Sequence, residues 1–202
     1  MKRKIYSELI AWKNSGNRKP LILKGARQVG KSWILKEFGK NEYTYCAYIS
    51  CDNTEFAESL FKDFNTTRIL QSVEAITKVP VLPEKTLIIF DEIQEIPTGL
   101  TALKYLYEEK PQYHIAIAGS LLGITLAKGI SFPVGKVNFL EMFPMDFQEF
   151  LWAQNEDILS KIISECKIEE LLTLKTQCED LLRQYYFCGG MPESVLSYSR
   201  GE

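Results

Sequence analysis

The amino-acid sequence predicts an α/β protein built around a parallel sheet. Short apolar runs rich in β-branched and aromatic residues alternate with segments of helical periodicity, the pattern of strands joined by crossover helices. The most hydrophobic strand candidate is TLIIF at 86–90, and HIAIAG at 114–119 is a continuous apolar run, as expected for a central strand buried on both faces. An apolar fraction of 46% and a charged fraction of 25% fit an ordinary globular protein.

The predicted elements alternate along the first part of the chain. A helix over 3–14 places Ile5, Leu9 and Trp12 on one face. Strands are predicted at 20–24, 43–49, 86–90, 114–119 and within 136–141, and further helices at 31–38, 54–62, 66–78 and 98–109.

The character of the sequence changes after Pro144. Residues 146–187 contain no strand candidate and predict two or three helices, followed by a glycine turn at 189–190. We therefore divide the chain into a sheet domain, residues 1–143, and a helical appendage, residues 144–202.

Composition narrows the classes of protein. The net charge of −2 does not indicate a nucleic-acid-binding surface, although it does not exclude a local basic patch. The five cysteines lack CxxC spacing, which favours reduced thiols in a cytosolic protein over metal ligands. The sequence has no signal peptide and no run of 18 apolar residues, so we expect a soluble, cytoplasmic protein that does not cross a membrane.

The segment GARQVGKS at 25–32 matches the phosphate-binding pattern GxxxxGK[ST]. Glycines let the backbone curl so that successive N–H groups point at phosphates, and the following helix directs its positive end at the same anion. Lys31 is expected to reach the β- and γ-phosphates, and the Ser32 hydroxyl to ligate Mg²⁺. The expected nucleotide contacts are Gly25, Ala26, Arg27, Gln28, Val29, Gly30, Lys31, Ser32 and Trp33. The alternative is an inconsequential glycine turn, but a strand before the loop and a helix after it favour phosphate binding.

Two carboxylates, Asp91 and Glu92, end the apolar run LIIF. Ligands of open parallel sheets bind at the carboxyl ends of strands, so Asp91 is expected beside the loop, where it would hold Mg²⁺. Glu92 is a candidate to orient and deprotonate an attacking water. The alternative is a pair of solvated carboxylates that cap the next helix.

Ser120 ends the run HIAIAGS. Its hydroxyl could contact the γ-phosphate or the attacking water. It could also cap a short helix over LLGITLA at 121–127, and the two roles are compatible.

The order of these motifs resembles a bacterial and archaeal group of AAA+ ATPases that is related to archaeal and STAND-type NTPases. The resemblance runs from Lys4 to Val195 and rests on GARQVGKS, LIIFDEIQEI, IAIAGSLLG, SFPVGKVNFLEMFPMDFQEFL and CGGMPESV. It implies a P-loop NTPase fold of the ASCE type: a three-layer sandwich with a five-stranded parallel sheet of order 5-1-4-3-2 and a small helical lid.

The resemblance also implies roles for individual residues. Lys31 and Ser32 correspond to the Walker A lysine and magnesium ligand, Asp91 and Glu92 to the Walker B pair, and Ser120 to the first sensor. The GGMP segment would bring Gly190 and Pro192 near the adenine or ribose; the alternative is a glycine helix cap. Members commonly carry arginine where this chain has Lys136. They continue into a C-terminal domain similar to PD-(D/E)XK nucleases, so a chain ending at Glu202 is expected to be a fragment.

Three functions remain open at this point. The first is an ATPase that uses ATP and Mg²⁺ to drive or gate an attached C-terminal effector module or a partner. The second is a nucleotide-dependent switch with negligible turnover alone, because hydrolysis in this superfamily commonly needs an arginine from a neighbouring subunit of a homo-oligomer. Candidates for that arginine are Arg68, Arg183 and Arg200. The third is a small-molecule kinase, which the presence of Glu92 disfavours.

Overall fold

The computed structural model describes residues 1–93, 96–120 and 135–200. The chain forms two compact units. The larger is Ile5–Met142, and the smaller combines Met1–Lys4 with Phe143–Glu202.

The larger unit contains one five-stranded sheet in which every pairing is parallel. Its strands are β1 Leu21–Gly25, β2 Tyr45–Ser50, β3 Thr86–Asp91, β4 His114–Ser120 and β5 Asn138–Met142. They lie in the order β2-β3-β4-β1-β5, which is the predicted order 5-1-4-3-2 read from the other edge. The fold class predicted from the sequence is thus confirmed.

Helices cover both faces of the sheet and bury its apolar side chains. They are α1 Ile5–Lys13, α2 Lys31–Glu42, α3 Thr54–Phe61, α4 Thr66–Thr77 and α5 Pro97–Glu109. One face of β2 and β3 packs with α3, α4 and α5 in a single cluster that includes Ile49, Phe90, Leu103 and Val73. The helix α2 covers the other face of the same strands.

The helix α2 is one turn longer than the sequence predicted, ending at Glu42 instead of residue 38. Glycine is the residue most often found just after the end of a helix, but Gly39 does not end this one. In the structure Gly39 is buried within the helix, and a Cβ at this position would collide with the sulfur of Cys46 on β2. The glycine therefore allows α2 to lie close to the sheet.

The smaller unit is helical, with α6 Phe147–Ala153, α7 Asp157–Ser164, α8 Ile168–Thr173, α9 Lys175–Cys188 and α10 Pro192–Arg200. The prediction of two or three helices over 146–187 was wrong, because short breaks after residues 153, 164 and 173 divide the segment into four. Asp146 caps α6 in a reciprocal arrangement with Glu149. The buried side chain of Glu149 also forms an ion pair with Arg3, its Oε2 lying 3.1 Å from Nε. The first residues of the chain are thereby fastened to this unit.

Some predicted features lie outside the described residues. They are the helix at 121–127, Gln94 of the DEIQ motif and residues 131–134 of the SFPVG motif. Within the described ranges, no helix is long and apolar enough to cross a membrane.

Candidate functional site

The glycine loop connects β1 to α2 at the carboxyl edge of the sheet. Gly25 ends β1, and a Cβ there would collide with the backbone carbonyl of Met142 on the adjacent strand β5. Gly30 caps α2 in the left-handed conformation, with φ 94°, which glycine adopts without steric cost. Val29 is fully buried, while the residues at 26–28 are exposed. One apolar side chain thus anchors a loop that otherwise faces outward.

Lys31 is the first residue of α2, and its side chain is buried. Its Nζ donates hydrogen bonds to the carbonyl oxygens of Gly25, at 3.1 Å, and Ala26, at 2.7 Å. Burial lowers the pKa of the lysine, and the negative charges of Glu92 and Asp91 oppose that shift. The ammonium therefore lies against the loop, in the field of both carboxylates.

Asp91 ends β3 and is 6% exposed. Its Oδ2 accepts a hydrogen bond of 2.7 Å from the hydroxyl of Tyr48. Its Oδ1 is buried and has no hydrogen-bond partner among the described residues. A buried carboxylate oxygen without a partner is costly, and a hard divalent cation with oxygen ligands would satisfy it. Asp91, together with the half-buried Ser32 at the start of α2, thus fits a magnesium site.

Glu92 follows Asp91 in the left-handed conformation, with φ 56°. Its backbone N–H donates to the carbonyl of Ala118 on β4 at 3.0 Å. This conformation is uncommon for a residue with a side chain and is found most often in turns and functional sites. The hydrogen bond to β4 fixes the turn that carries the carboxylate.

The remaining predicted site residues lie in different places. The backbone of Ser120 is opposite Gly25 in the β1–β4 ladder, at the carboxyl edge where the loop begins, whereas its side chain lies outside the described residues. Trp33 is 44% exposed. Pro192 is the first residue of α10 in the helical unit. In that unit Gly190 packs closely on Met145, and the N–H of Met145 donates to the carbonyl oxygen of Gly190.

Two residues of the site were not identified from the sequence. The first is Tyr48 on β2, whose hydroxyl donates to Asp91; burial and that hydrogen bond raise its pKa, so the group remains a donor. The second is Lys36 on α2, whose Nζ lies 3.5 Å from the centroid of the Tyr48 ring. The sequence gives only one signal, the alternation along β2 that puts Tyr48 on the same face as Ser50.

The candidate arginines differ in their surroundings. Arg68 is held within the larger unit by Asp63 and by the carbonyl of Leu60. Arg183, on α9, pairs with acidic residues of its own helix, and Arg200 is the last residue of α10. Lys136 pairs with Glu108 on α5, at 3.1 Å.

A family profile described as an AAA domain matches residues 17–151 of this chain, about two thirds of its length. A curated relative, an uncharacterized protein of Haemophilus influenzae, is 22% identical over 178 residues. The alignment covers 87% of this chain and 40% of the relative. The chain therefore spans less than half the length of the curated relative that it matches.

Among solved structures, the chain is similar to one described as Drosophila ORC bound to DNA, with a TM-score of 0.57 and 14% identity over 96% of this chain and 58% of that chain. A weaker likeness, with a TM-score of 0.44 and 16% identity, is to the ORC2 protein of Aeropyrum pernix in its ADP form, covering 98% of this chain and 66% of that one. At the identity of the first comparison, the likeness establishes a shared fold.

Proposed function

The chain belongs to the AAA domain family, and from this premise we propose that it binds ATP with Mg²⁺ and hydrolyses it. The observation that carries the proposal is Oδ1 of Asp91, which is buried and has no hydrogen-bond partner in the part of the chain that the structure describes. It lies at the carboxyl edge of the sheet, where the glycine loop and the Lys31 ammonium also lie. This combination serves phosphates and a divalent cation, and it has no evident purpose in packing.

Each residue is assigned one task. The backbone N–H groups of the loop and the Lys31 ammonium bind the β- and γ-phosphates. Ser32 and Asp91 hold Mg²⁺, which when bound neutralises charge on the phosphate oxygens. Glu92 orients the attacking water and accepts its proton. Ser120 contacts the γ-phosphate from the end of β4.

We propose that the adenine base of the nucleotide lies at the outer part of the site. Trp33 is half-exposed directly after the loop, and in this proposal its ring borders the nucleotide. For Pro192 and the GGMP segment, the proposal keeps the sequence-based assignment to the adenine or ribose. In this proposal, ATP turnover drives or gates a module or partner beyond the residues of this chain.

A second candidate is a nucleotide-dependent switch that hydrolyses ATP slowly unless another subunit completes the site. The contacts of Arg68 favour it, because this candidate arginine is already engaged by Asp63 and a backbone carbonyl. In other phosphoryl-transfer enzymes, an arginine supplied in trans by a second protein raises turnover by orders of magnitude.

Phosphate release separates these candidates. Wild-type protein is compared with Glu92→Gln and Lys31→Ala over a range of protein concentrations, with ATP binding measured by calorimetry. A hydrolase predicts turnover that falls about 100-fold or more in Glu92→Gln, with ATP still bound. Binding without release at any concentration, in wild type as in Glu92→Gln, would leave the switch; release that rises with concentration would indicate a completing subunit. Phosphate transfer to a metabolite in place of water would support a kinase.

A further inference from the structure

Tyr48, on β2, contacts Asp91, one of the two proposed magnesium ligands. The register of β2 and β3 pairs Ser50 with Asp91 and Tyr48 with Ile89, and neighbours paired in a parallel ladder point to the same face of the sheet. Tyr48 is therefore on the face of β2 that Asp91 occupies on β3. From there its hydroxyl spans the gap between the strands and donates to Oδ2 of Asp91 at 2.7 Å.

This hydrogen bond gives the two carboxylate oxygens of Asp91 different roles. The terminal torsion of an aspartate is broad, so an unrestrained carboxylate would present either oxygen in a range of directions. With Oδ2 held by Tyr48, the oxygen that has no partner within residues 1–93, 96–120 and 135–200 is Oδ1, which is buried. The carboxylate is thereby held with Oδ2 hydrogen-bonded to Tyr48 and with Oδ1 available to bind a cation.

Tyr48 is itself held by the helix that follows the phosphate loop. The Nζ of Lys36 lies over its ring, 3.5 Å from the centroid, a favourable position for a cation on an aromatic face. Lys36 is four residues after Ser32 on α2, so the two share one face of that helix. Tyr48 thus contacts both the helix of one proposed magnesium ligand and the side chain of the other.

We propose that Tyr48 is a positioning residue for Mg²⁺: its hydroxyl orients Asp91 so that Oδ1 stays available to the cation, and Lys36 steadies its ring. The inference rests on the proposed Mg-nucleotide function of the same site. Groups that orient metal-binding carboxylates contribute to metal affinity without contacting the metal.

Tyr48→Phe tests the inference, because it removes the hydroxyl and retains the ring beneath Lys36. Affinity for a non-hydrolysable ATP analogue is measured by calorimetry at saturating Mg²⁺ and in EDTA, and the Mg²⁺ concentration that gives half of the gain is determined. We expect Tyr48→Phe to reduce the Mg²⁺-dependent gain about 10-fold or more. Affinity in EDTA should equal that of wild type.

Tyr45→Phe is the matched control, since Tyr45 is half-buried on the same strand but alternates to the opposite face. It should behave as wild type under both conditions. Thermal melting checks that each variant is folded. If Tyr48→Phe does not fold, Lys36→Met, at an exposed position, should raise the half-saturating Mg²⁺ concentration in the same direction by a smaller factor.

Two results would overturn the inference. One is an unchanged Mg²⁺ dependence in folded Tyr48→Phe or, failing that protein, in Lys36→Met. The other is a loss of affinity that is equal in Mg²⁺ and EDTA, which is the mark of a structural role. Wild-type protein that binds no nucleotide, or binds it without regard to Mg²⁺, would instead overturn the proposed function, and this inference with it.

Discussion

Acidification should destabilise this protein through a single buried histidine. His114 starts β4 and is 4% exposed. Its Nδ1 lies 2.7 Å from the hydroxyl of Tyr43, and its Nε2 is buried without a hydrogen-bond partner among the described residues. Burial, reinforced by the positive charges of Arg18 and Lys13, lowers the pKa of His114 from 6.5 to about 4. The native state therefore holds the imidazole neutral over a range in which the unfolded chain protonates it.

The size of the effect follows from the two pKa values. A native pKa of about 4 against 6.5 corresponds to about 3 kcal/mol of stability, at about 1.4 kcal/mol for each pH unit that separates them. That stabilisation is complete above the unfolded pKa and is lost as the pH falls from 6.5 towards 4. By pH 5 the loss should reach about 2 kcal/mol.

Urea unfolding of wild type and His114→Gln between pH 7.5 and pH 5 measures this loss. Glutamine keeps an acceptor for the Tyr43 hydroxyl and does not titrate, and the carboxylates of the two proteins are the same, so their contribution cancels in the comparison. Wild type should lose about 2 kcal/mol more than the variant over this range. The same slope of free energy against pH in both proteins would refute the assignment to His114.

Three further predictions concern the loop and its surroundings. Gly25→Ala should lower Tm and weaken ATP binding, since the added Cβ collides with a carbonyl of β5; Gly16→Ala, where nothing lies within 4 Å of the added atom, should change neither. Lys31→Ala should abolish ATP binding in calorimetry while the protein stays folded by circular dichroism, because the hydrogen bonds of the ammonium to described residues go to loop carbonyls; unchanged affinity would contradict its assignment to the phosphates. Arg68→Ala should lower Tm by a few degrees through loss of its contacts with Asp63 and the α3 backbone, and an accompanying collapse of ATPase activity would instead identify it as a catalytic arginine.

The elements that were predicted well are those in which local pattern and tertiary environment agree. The apolar run before Ser120 forms a central strand, as predicted, and the apolar run before Asp91 forms the strand beside it. The end of α2 was misplaced by four residues, and the local sequence does not correct it, because glycine is suited both to ending a helix and to allowing a close approach. Only the position of Cys46 on β2 decides between these roles for Gly39.

The contact between Tyr48 and Asp91 could not be predicted from the sequence. Its partner Asp91 is 43 residues away, and their contact depends on β2 pairing with β3 in one particular register. The alternation along β2 assigns Tyr48 to a face of the sheet, but it does not say which neighbouring strand that face meets. The aspartate itself was found because a carboxylate at the end of an apolar strand is a local signal.

The strand order has a consequence for how the protein comes to be folded. β1, which leads into the glycine loop, and β3, which ends in Asp91, do not pair with each other; β4 lies between them and pairs with both. A nascent chain that has already emerged as far as the acidic pair therefore has both motifs but lacks the strand that unites them. The backbone edges of β1 and β3 that β4 covers in the folded protein therefore lack their partner strand until His114–Ser120 has been synthesised. Pairings between segments so far apart in the chain also form slowly. The strand β4, which brings the two motifs together, is therefore synthesised after both the glycine loop and the acidic pair.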